Sequence, residues 1–200
     1  NGAKIIVSSL KLKRFNIKKV LFIKSKNPRK MLSDISSKFY KLKPKNIIAV
    51  TGTNGKTTTK ELITAVLDRK YKVHSTKGNL NNHIGVPLTL LSAPRDTEVL
   101  IVEMGANHIG EIATLCSIAE PNYGLITNIG RAHLEGFGGI EGVKKGKGEL
   151  FDFLRSKEGT NVFVNANHPL LIEISEGLNR TLYGNKQNEP TARFIEGESR

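Results

Sequence analysis

A single cysteine, Cys116, stands among the 200 residues, so no internal disulfide staples this chain. It falls in an apolar helical pattern, which predicts a core position and fits a reducing compartment. Long apolar runs are also missing: none approaches the roughly 20 residues that a membrane-spanning helix needs. The amino terminus lacks the basic segment, apolar stretch and cleavage site of a signal peptide, so a cytoplasmic location is expected. Acids are scarce at the start. Residues 1–50 carry 14 Lys/Arg against one acid, Asp34, whereas the other 150 carry 17 Lys/Arg and 17 Asp/Glu. The net charge of +13 therefore lies in the first quarter of the chain. A basic arm suits nucleic acid or an acidic surface. Here, however, the charges interleave with strand-like runs, Lys4 to Ser8 and Lys19 to Ile23, which favours an ordinary folded segment over a nucleic-acid-binding module.

What is present is more telling. Gly52-Thr53-Asn54-Gly55-Lys56-Thr57-Thr58 sits between an apolar run, Asn46 to Val50, and a stretch in which Leu62, Ile63, Val66 and Leu67 recur at helical spacing. Strand, Gly-rich turn and helix opening on Gly-Lys-Thr predict a phosphate-binding loop. In such a loop, backbone N–H groups and the helix N-terminus hold anionic oxygens. Lys56 adds a point charge, and Thr57 offers a hydroxyl to Mg²⁺. The common form has glycine where this chain has Val50.

Two short strands and a helix are expected before residue 41, with Asn27 as N-cap, Pro28 first in the helix, and Met31, Leu32, Ile35 and Phe39 on its inner face. Lys41 to Lys45 reads as a linker, and the composition shift near residue 46 marks a domain boundary. Beyond it, strands are predicted at 46–50, 71–75, 98–103, 123–128, 161–165 and 180–183. Helices are predicted at 56–69, 85–91, 109–118, 140–156 and 168–176. This alternation implies an α/β fold, a mostly parallel sheet flanked by helices, preceded by a small α+β remnant. Ligands of such sheets gather at the carboxyl ends of the strands. Those ends carry the phosphate loop, then Glu103-Met104-Gly105-Ala106-Asn107-His108, then Asn128 to Gly138 with His133 inside. A carboxylate ending the run Val99 to Val102 is well placed to hold Mg²⁺ beside a triphosphate. His74 and His168 have no motif context and read as structural or solvent-facing, His83 is given no role, and Asn165-Ala166-Asn167 reads as a capping turn.

Three segments, Thr51 to Thr58, Glu103 to His108 and Asn128 to His133, resemble the ATP-dependent Mur ligases of peptidoglycan precursor synthesis. The shortened phosphate loop is that family's version, which accounts for Val50. Within the family, Gly78-Asn-Leu-Asn-Asn-His-Ile-Gly-Val-Pro-Leu-Thr-Leu-Leu91, His133 to Gly138 and Lys147-Gly-Glu-Leu-Phe151 resemble the type that adds D-alanyl-D-alanine to UDP-N-acetylmuramoyl-tripeptide. The likeness runs from about residue 46 to 184. Residues 1–45 are more similar to the end of the uridine-nucleotide domain in the type that adds the third stem-peptide residue.

The resemblance implies a central ATP-binding domain over 46–200, preceded by the tail of a UDP-substrate domain. The carboxyl-terminal closing domain would be absent and the piece inactive by itself. It implies ATP and two Mg²⁺ ions as cofactors, no nucleic-acid or membrane partner, and a monomer. Thr53, Asn54, Gly55, Lys56, Thr57 and Thr58 would bind nucleotide, with Lys56 on the β/γ-phosphates. Thr57 and Glu103 would hold the first Mg²⁺ and His133 a second. Lys147 aligns with a lysine that is carbamylated in several members and would then also serve a metal. Asn79, Asn81 and Asn82 are candidates for the acceptor's peptide or phosphates, with Asn107 and His108 behind them. Asn also suits turns for local reasons. Two other outcomes stay open: the third-residue type of ligase, and a nucleotide-binding piece without catalysis.

Overall fold

Continuous apolar runs and helical repeats build a parallel sheet with helices on both faces. The computed structural model describes residues 4–10, 20–40, 44–130 and 134–184. First, β1 (Ile5–Ser8) pairs in parallel with β2 (Leu21–Lys24), and α1 (Pro28–Tyr40) follows. Elements then alternate: β3 (Asn46–Thr51), α2 (Lys56–Leu67), β4 (Val73–Ser75), α3 (Gly85–Ser92), β5 (Val99–Glu103) and α4 (Glu111–Ala119). After them come β6 (Tyr123–Ile126), α5 (Leu134–Phe137), α6 (Ile140–Arg155), β7 (Asn161–Asn165), α7 (Pro169–Ile174) and β8 (Arg180–Tyr183). One sheet runs β4-β5-β3-β6-β7-β8 with every pair parallel, the expected α/β architecture.

The strand sequences explain the layering. β5, Val-Leu-Ile-Val-Glu, is buried at all five positions, as a central parallel strand covered on both faces must be. Alternation sends Leu100 and Val102 to one side, where they meet Val86 and Leu90 of α3, Leu115 and Cys116 of α4, and Leu150 and Leu154 of α6. Val99 and Ile101 go to the other side, with Val50, against Ile63 and Leu67 of α2. By the same alternation Glu103 ends β5 on the α2 side. Helix α6 lies so close to β6 that a Cβ added at Gly124 would come within 2.4 Å of Leu154 Cδ1.

The structure corrects several expectations. In α1, Ile35 and Phe39 are 43% and 40% exposed, while Ser36 is fully buried and the Ser37 hydroxyl donates to the Ile118 carbonyl. Serines on that face let α1 approach α3 and α4 more closely than an apolar stripe would. The Asn27 cap is as expected, its Oδ1 accepting the Lys30 N–H at 3.0 Å. In α2, Leu62 and Val66 face outward, and the buried turn is taken by Lys60. Strand β6 ends at Ile126 rather than 128, and residues 134–137 form a short helix where loop was expected. The linker residues 41–43 lie outside the described residues. No helix among the described residues is long and apolar enough to cross a membrane.

The serine contact generates a test. Ser36→Leu should lower stability by about 1–3 kcal/mol through overpacking against α3 and α4. Ile35→Ser, on the exposed stripe, should stay within roughly 0.5 kcal/mol. Denaturant melts of the two variants would separate the two faces.

Candidate active site

Strand pairing sets the site. β3 lies between β5 and β6, with Val50 opposite Glu103 and Thr51 opposite Ile126. Three parallel strands therefore deliver their carboxyl ends to one rim. From β3 the chain leaves toward β4, and from β6 it leaves toward β7, so the phosphate loop lies at a topological switch point.

The phosphate loop is held from outside itself. The Thr127 N–H still donates to the Thr51 carbonyl at 2.9 Å, but its hydroxyl and Asn128 turn to the loop. Thr53 N–H donates to the Asn128 carbonyl at 3.0 Å, and Asn54 N–H donates to Asn128 Oδ1 at 3.1 Å. The Asn54 carbonyl accepts from Thr127 Oγ1 at 2.7 Å and Asn128 Nδ2 at 3.0 Å. Gly130 N–H donates to Thr53 Oγ1 at 3.0 Å. Gly55, at φ 76°, then opens α2. Lys56 folds back over the loop, its Nζ donating to the carbonyls of Gly52 and Thr53, both at 2.9 Å. Half-burial pulls Lys56 below its ordinary pKa, and the Glu103 charge opposes that pull. Thr57 and Thr58 are exposed in the first turn.

Glu103 is 1% exposed, and its two carboxylate oxygens are not equivalent. Oε1 accepts from Asn81 Nδ2 at 2.8 Å, whereas Oε2 is buried without a partner. An unmade buried hydrogen bond costs about 1–3 kcal/mol, and more for a charged group. This orphan oxygen fits a Mg²⁺ ligand, since Mg²⁺ is usually held by one or two carboxylates together with phosphate oxygens and water. Among the described residues no group of three His, Cys, Asp or Glu side chains is placed to hold a metal. His133 lies outside the described residues.

Lys147 reaches the same cleft from α6. It is 3% exposed, donates to the Ala106 carbonyl at 2.9 Å and lies 5.1 Å from the centre of the Phe137 ring. Burial, and then the Lys56 charge, push its pKa down to about 8. A cleft of ≈ 760 Å³, within the usual range for ligand pockets, is lined by Thr53, Lys56, Asn81, Asn107 and Lys147 among others.

The structure redistributes the asparagines. Asn81 turns inward to Glu103. Asn82 lines the cleft, but its Oδ1 accepts the N–H groups of Ile84 and Gly85, both at 3.0 Å, and so caps α3. Asn79 is exposed and is not among the cleft residues, nor is His108, which sits against Glu111 at 3.5 Å. Several residues that organise the site are not among the predicted site residues. Glu149, two residues past Lys147 in the quoted Lys-Gly-Glu run, accepts the N–H groups of Gly110 and Ala113. Glu111 accepts those of Asn107 and His108. His168 accepts the Ile129 N–H at 3.2 Å, which steadies the β6 loop from α7.

Comparison with known proteins gives a consistent pattern. Residues 50–199 match the Mur ligase middle domain family. Over 125 residues the chain is 46% identical to the UDP-N-acetylmuramoyl-tripeptide–D-alanyl-D-alanine ligase of Bacillus subtilis, covering 62% of this chain and 27% of that protein. The Escherichia coli ligase of the same name is 47% identical over 111 residues, 56% of this chain and 25% of that protein. The chain thus spans about a quarter of these relatives' length. Among solved structures, MurF from Thermotoga maritima in complex with ADP superposes with a TM-score of 0.80 at 32% identity, covering 92% of this chain and 42% of that one. MurF from Acinetobacter baumannii gives 0.80 at 29% identity, over 89% and 39%.

Gly52 provides the check on this geometry. Its φ is 141°, and an added Cβ would stand 2.0 Å from Thr127 Oγ1 and 3.0 Å from the Thr127 backbone nitrogen. Gly52→Ala should destabilise by about 1–3 kcal/mol and abolish nucleotide-induced stabilisation. Adding Thr127→Ala should not restore binding, because the backbone clash remains. Thermal melts with and without ADP measure both effects.

Proposed function

The chain belongs to the Mur ligase family through its middle domain, and from that membership we propose that it is the ATP-binding part of a ligase joining D-alanyl-D-alanine to UDP-N-acetylmuramoyl-tripeptide. The observation that carries the proposal is the meeting of the phosphate loop and Lys147 on one cleft, with Glu103 buried behind its wall on Asn81, in a chain 46% identical over 125 residues to a ligase of that name. The residues from about 46 form the ATP-binding unit, and residues 1–45 are the tail of the uridine-nucleotide domain. The enzyme works in the cytoplasm as a monomer on small-molecule peptidoglycan precursors.

The chemistry is amide formation driven by ATP. The acceptor carboxylate attacks the γ-phosphorus, forming an acyl phosphate and releasing ADP. The dipeptide amine then attacks the acyl carbon, and inorganic phosphate leaves with the carbon–oxygen bond electrons. The first step joins anions, so it depends on positioning and charge neutralisation. Loop N–H groups from Thr53 to Thr58 hold phosphate oxygens, and Lys56 exchanges its two carbonyl partners for them. Mg²⁺, when bound, would supply further charge neutralisation for the reacting anions. Thr57 and Glu103 would hold one ion, and His133 with a carbamylated Lys147 the other. Lys147 suits carbamylation because its neutral amine adds to CO₂ with loss of a proton, and its burial favours the neutral form. Asn107, on the cleft wall, remains as a contact for the acceptor.

Two measurements test this. Lys56→Ala should remove ADP and ATP binding at fixed Mg²⁺ while leaving the circular dichroism spectrum unchanged. Calorimetric affinity equal to that of the unaltered protein would refute the phosphate-loop assignment. Lys147 predicts a pH dependence of a definite sign. Its lowered pKa means that the amine sheds its proton as pH rises through about 8. At constant dissolved CO₂, the carbamate signal from isotopically labelled CO₂ should therefore grow on going from about pH 7 to pH 9, and Lys147→Arg should abolish it.

A further inference from the structure

Lys60 is fully buried, and nothing in the nucleotide chemistry calls for it. It lies one turn beyond Lys56 on α2. Burying an ammonium costs several kcal/mol unless it is paired. One partner, the Glu61 carboxylate, belongs to a side chain that is 62% exposed. The buried partner is a backbone carbonyl, Thr76 O, at 2.6 Å.

Thr76 connects this lysine to the site. It follows β4 directly and is 1% exposed. Its N–H donates to the Ile101 carbonyl at 3.0 Å, and its hydroxyl oxygen accepts the Glu103 N–H at 3.0 Å. Two hydrogen bonds thus lead from the Lys60 ammonium to the Glu103 backbone. The turn that begins at Thr76 returns at Asn81, whose carbonyl accepts the Gly105 N–H at 2.8 Å and whose side chain holds Glu103 Oε1. Glu103 is gripped at its amide and at one carboxylate oxygen, and both grips lie on the segment that Lys60 anchors.

We propose that Lys60 is a positioning residue: through Thr76 it fixes Glu103 against the phosphate-loop helix, so that Oε2 alone is left uncommitted for a cation. This rests on the assignment of Glu103 as a metal-holding group. A helix makes the coupling stiff, since Lys56 and Lys60 are separated by about 6 Å along one axis. A lysine serving packing alone would need no carbonyl whose residue also receives the Glu103 amide.

The test uses Lys60→Met, which keeps length and removes the ammonium, with Thr76→Val and Thr76→Ser, which remove and keep the hydroxyl. Two quantities are read: hydrogen exchange of the Glu103 amide without metal or nucleotide, and the Mg²⁺ concentration giving half-maximal enhancement of ADP binding. Lys60→Met and Thr76→Val should speed the exchange and raise the Mg²⁺ requirement about tenfold or more, the usual effect of losing a partner behind a metal ligand. ADP affinity in chelator should stay within roughly twofold, because the phosphate-loop contacts are untouched. Thr76→Ser should retain both original values. A folded Lys60→Met with a protected Glu103 amide and an unchanged Mg²⁺ requirement overturns the proposal. If Lys60→Met does not fold, unchanged values in Thr76→Val overturn it equally. Glu103→Gln separates the two ideas. If it leaves the Mg²⁺ requirement unaltered, the metal assignment fails, and the exchange measurement still decides whether Lys60 holds Glu103.

Discussion

Parallel pairing of β3 with β5 on one side and β6 on the other is the constraint from which the site follows. Parallel neighbours end together, so the phosphate loop emerges one strand spacing from Glu103 on one side and from the Asn128 loop on the other. Apolar runs on both sheet faces hold that pairing, and helices above and below exclude water from it. The rim is then the first place where the backbone can turn and expose polar groups. Chemistry collects there because the core forbids it elsewhere.

The rim carries two lysines of opposed requirement. Lys56 must stay charged to meet phosphate, and the nearby Glu103 supports that state. Lys147 sits deeper, and the Lys56 charge adds to burial in favouring its neutral form. An anion between them would relieve that repulsion and draw Lys147 back toward the ammonium, whereas capture of CO₂ needs the amine. On the proposed function, phosphate binding and CO₂ capture would therefore pull this side chain in opposite directions.

Much of this was legible in the chain. The strands at 161–165 and 180–183 and the helix opening at Lys56 follow from short apolar runs bounded by turn residues. The phosphate-loop motif pointed to Lys56, and the strand-end rule to Glu103. What failed did so for physical reasons. An apolar repeat cannot reveal that α1 buries serines, because close helix approach rewards small side chains over apolar ones. Lys60 carries no signal in the sequence, since its buried partner is a backbone carbonyl 16 residues away. Asn81 and Asn82 are adjacent and chemically identical, yet one turns to Glu103 and the other caps α3. Spacing gives no sign of that division. Thr127 and Asn128 read as the end of strand 123–128, but their side chains and the Asn128 backbone are taken up by the phosphate loop.

The strapping of the phosphate loop by Thr127 and Asn128 has an energetic meaning of its own. Ordering a residue's backbone costs about 1–2 kcal/mol in entropy. Here that ordering occurs when the protein folds, before any nucleotide arrives, so a phosphate meets N–H groups already in place. Affinity is in this sense preorganised into side chains that belong to a neighbouring strand's loop. A substitution at Asn128 would then act as an affinity mutation from the far side of the loop, weakening the bound state by letting the free state wander.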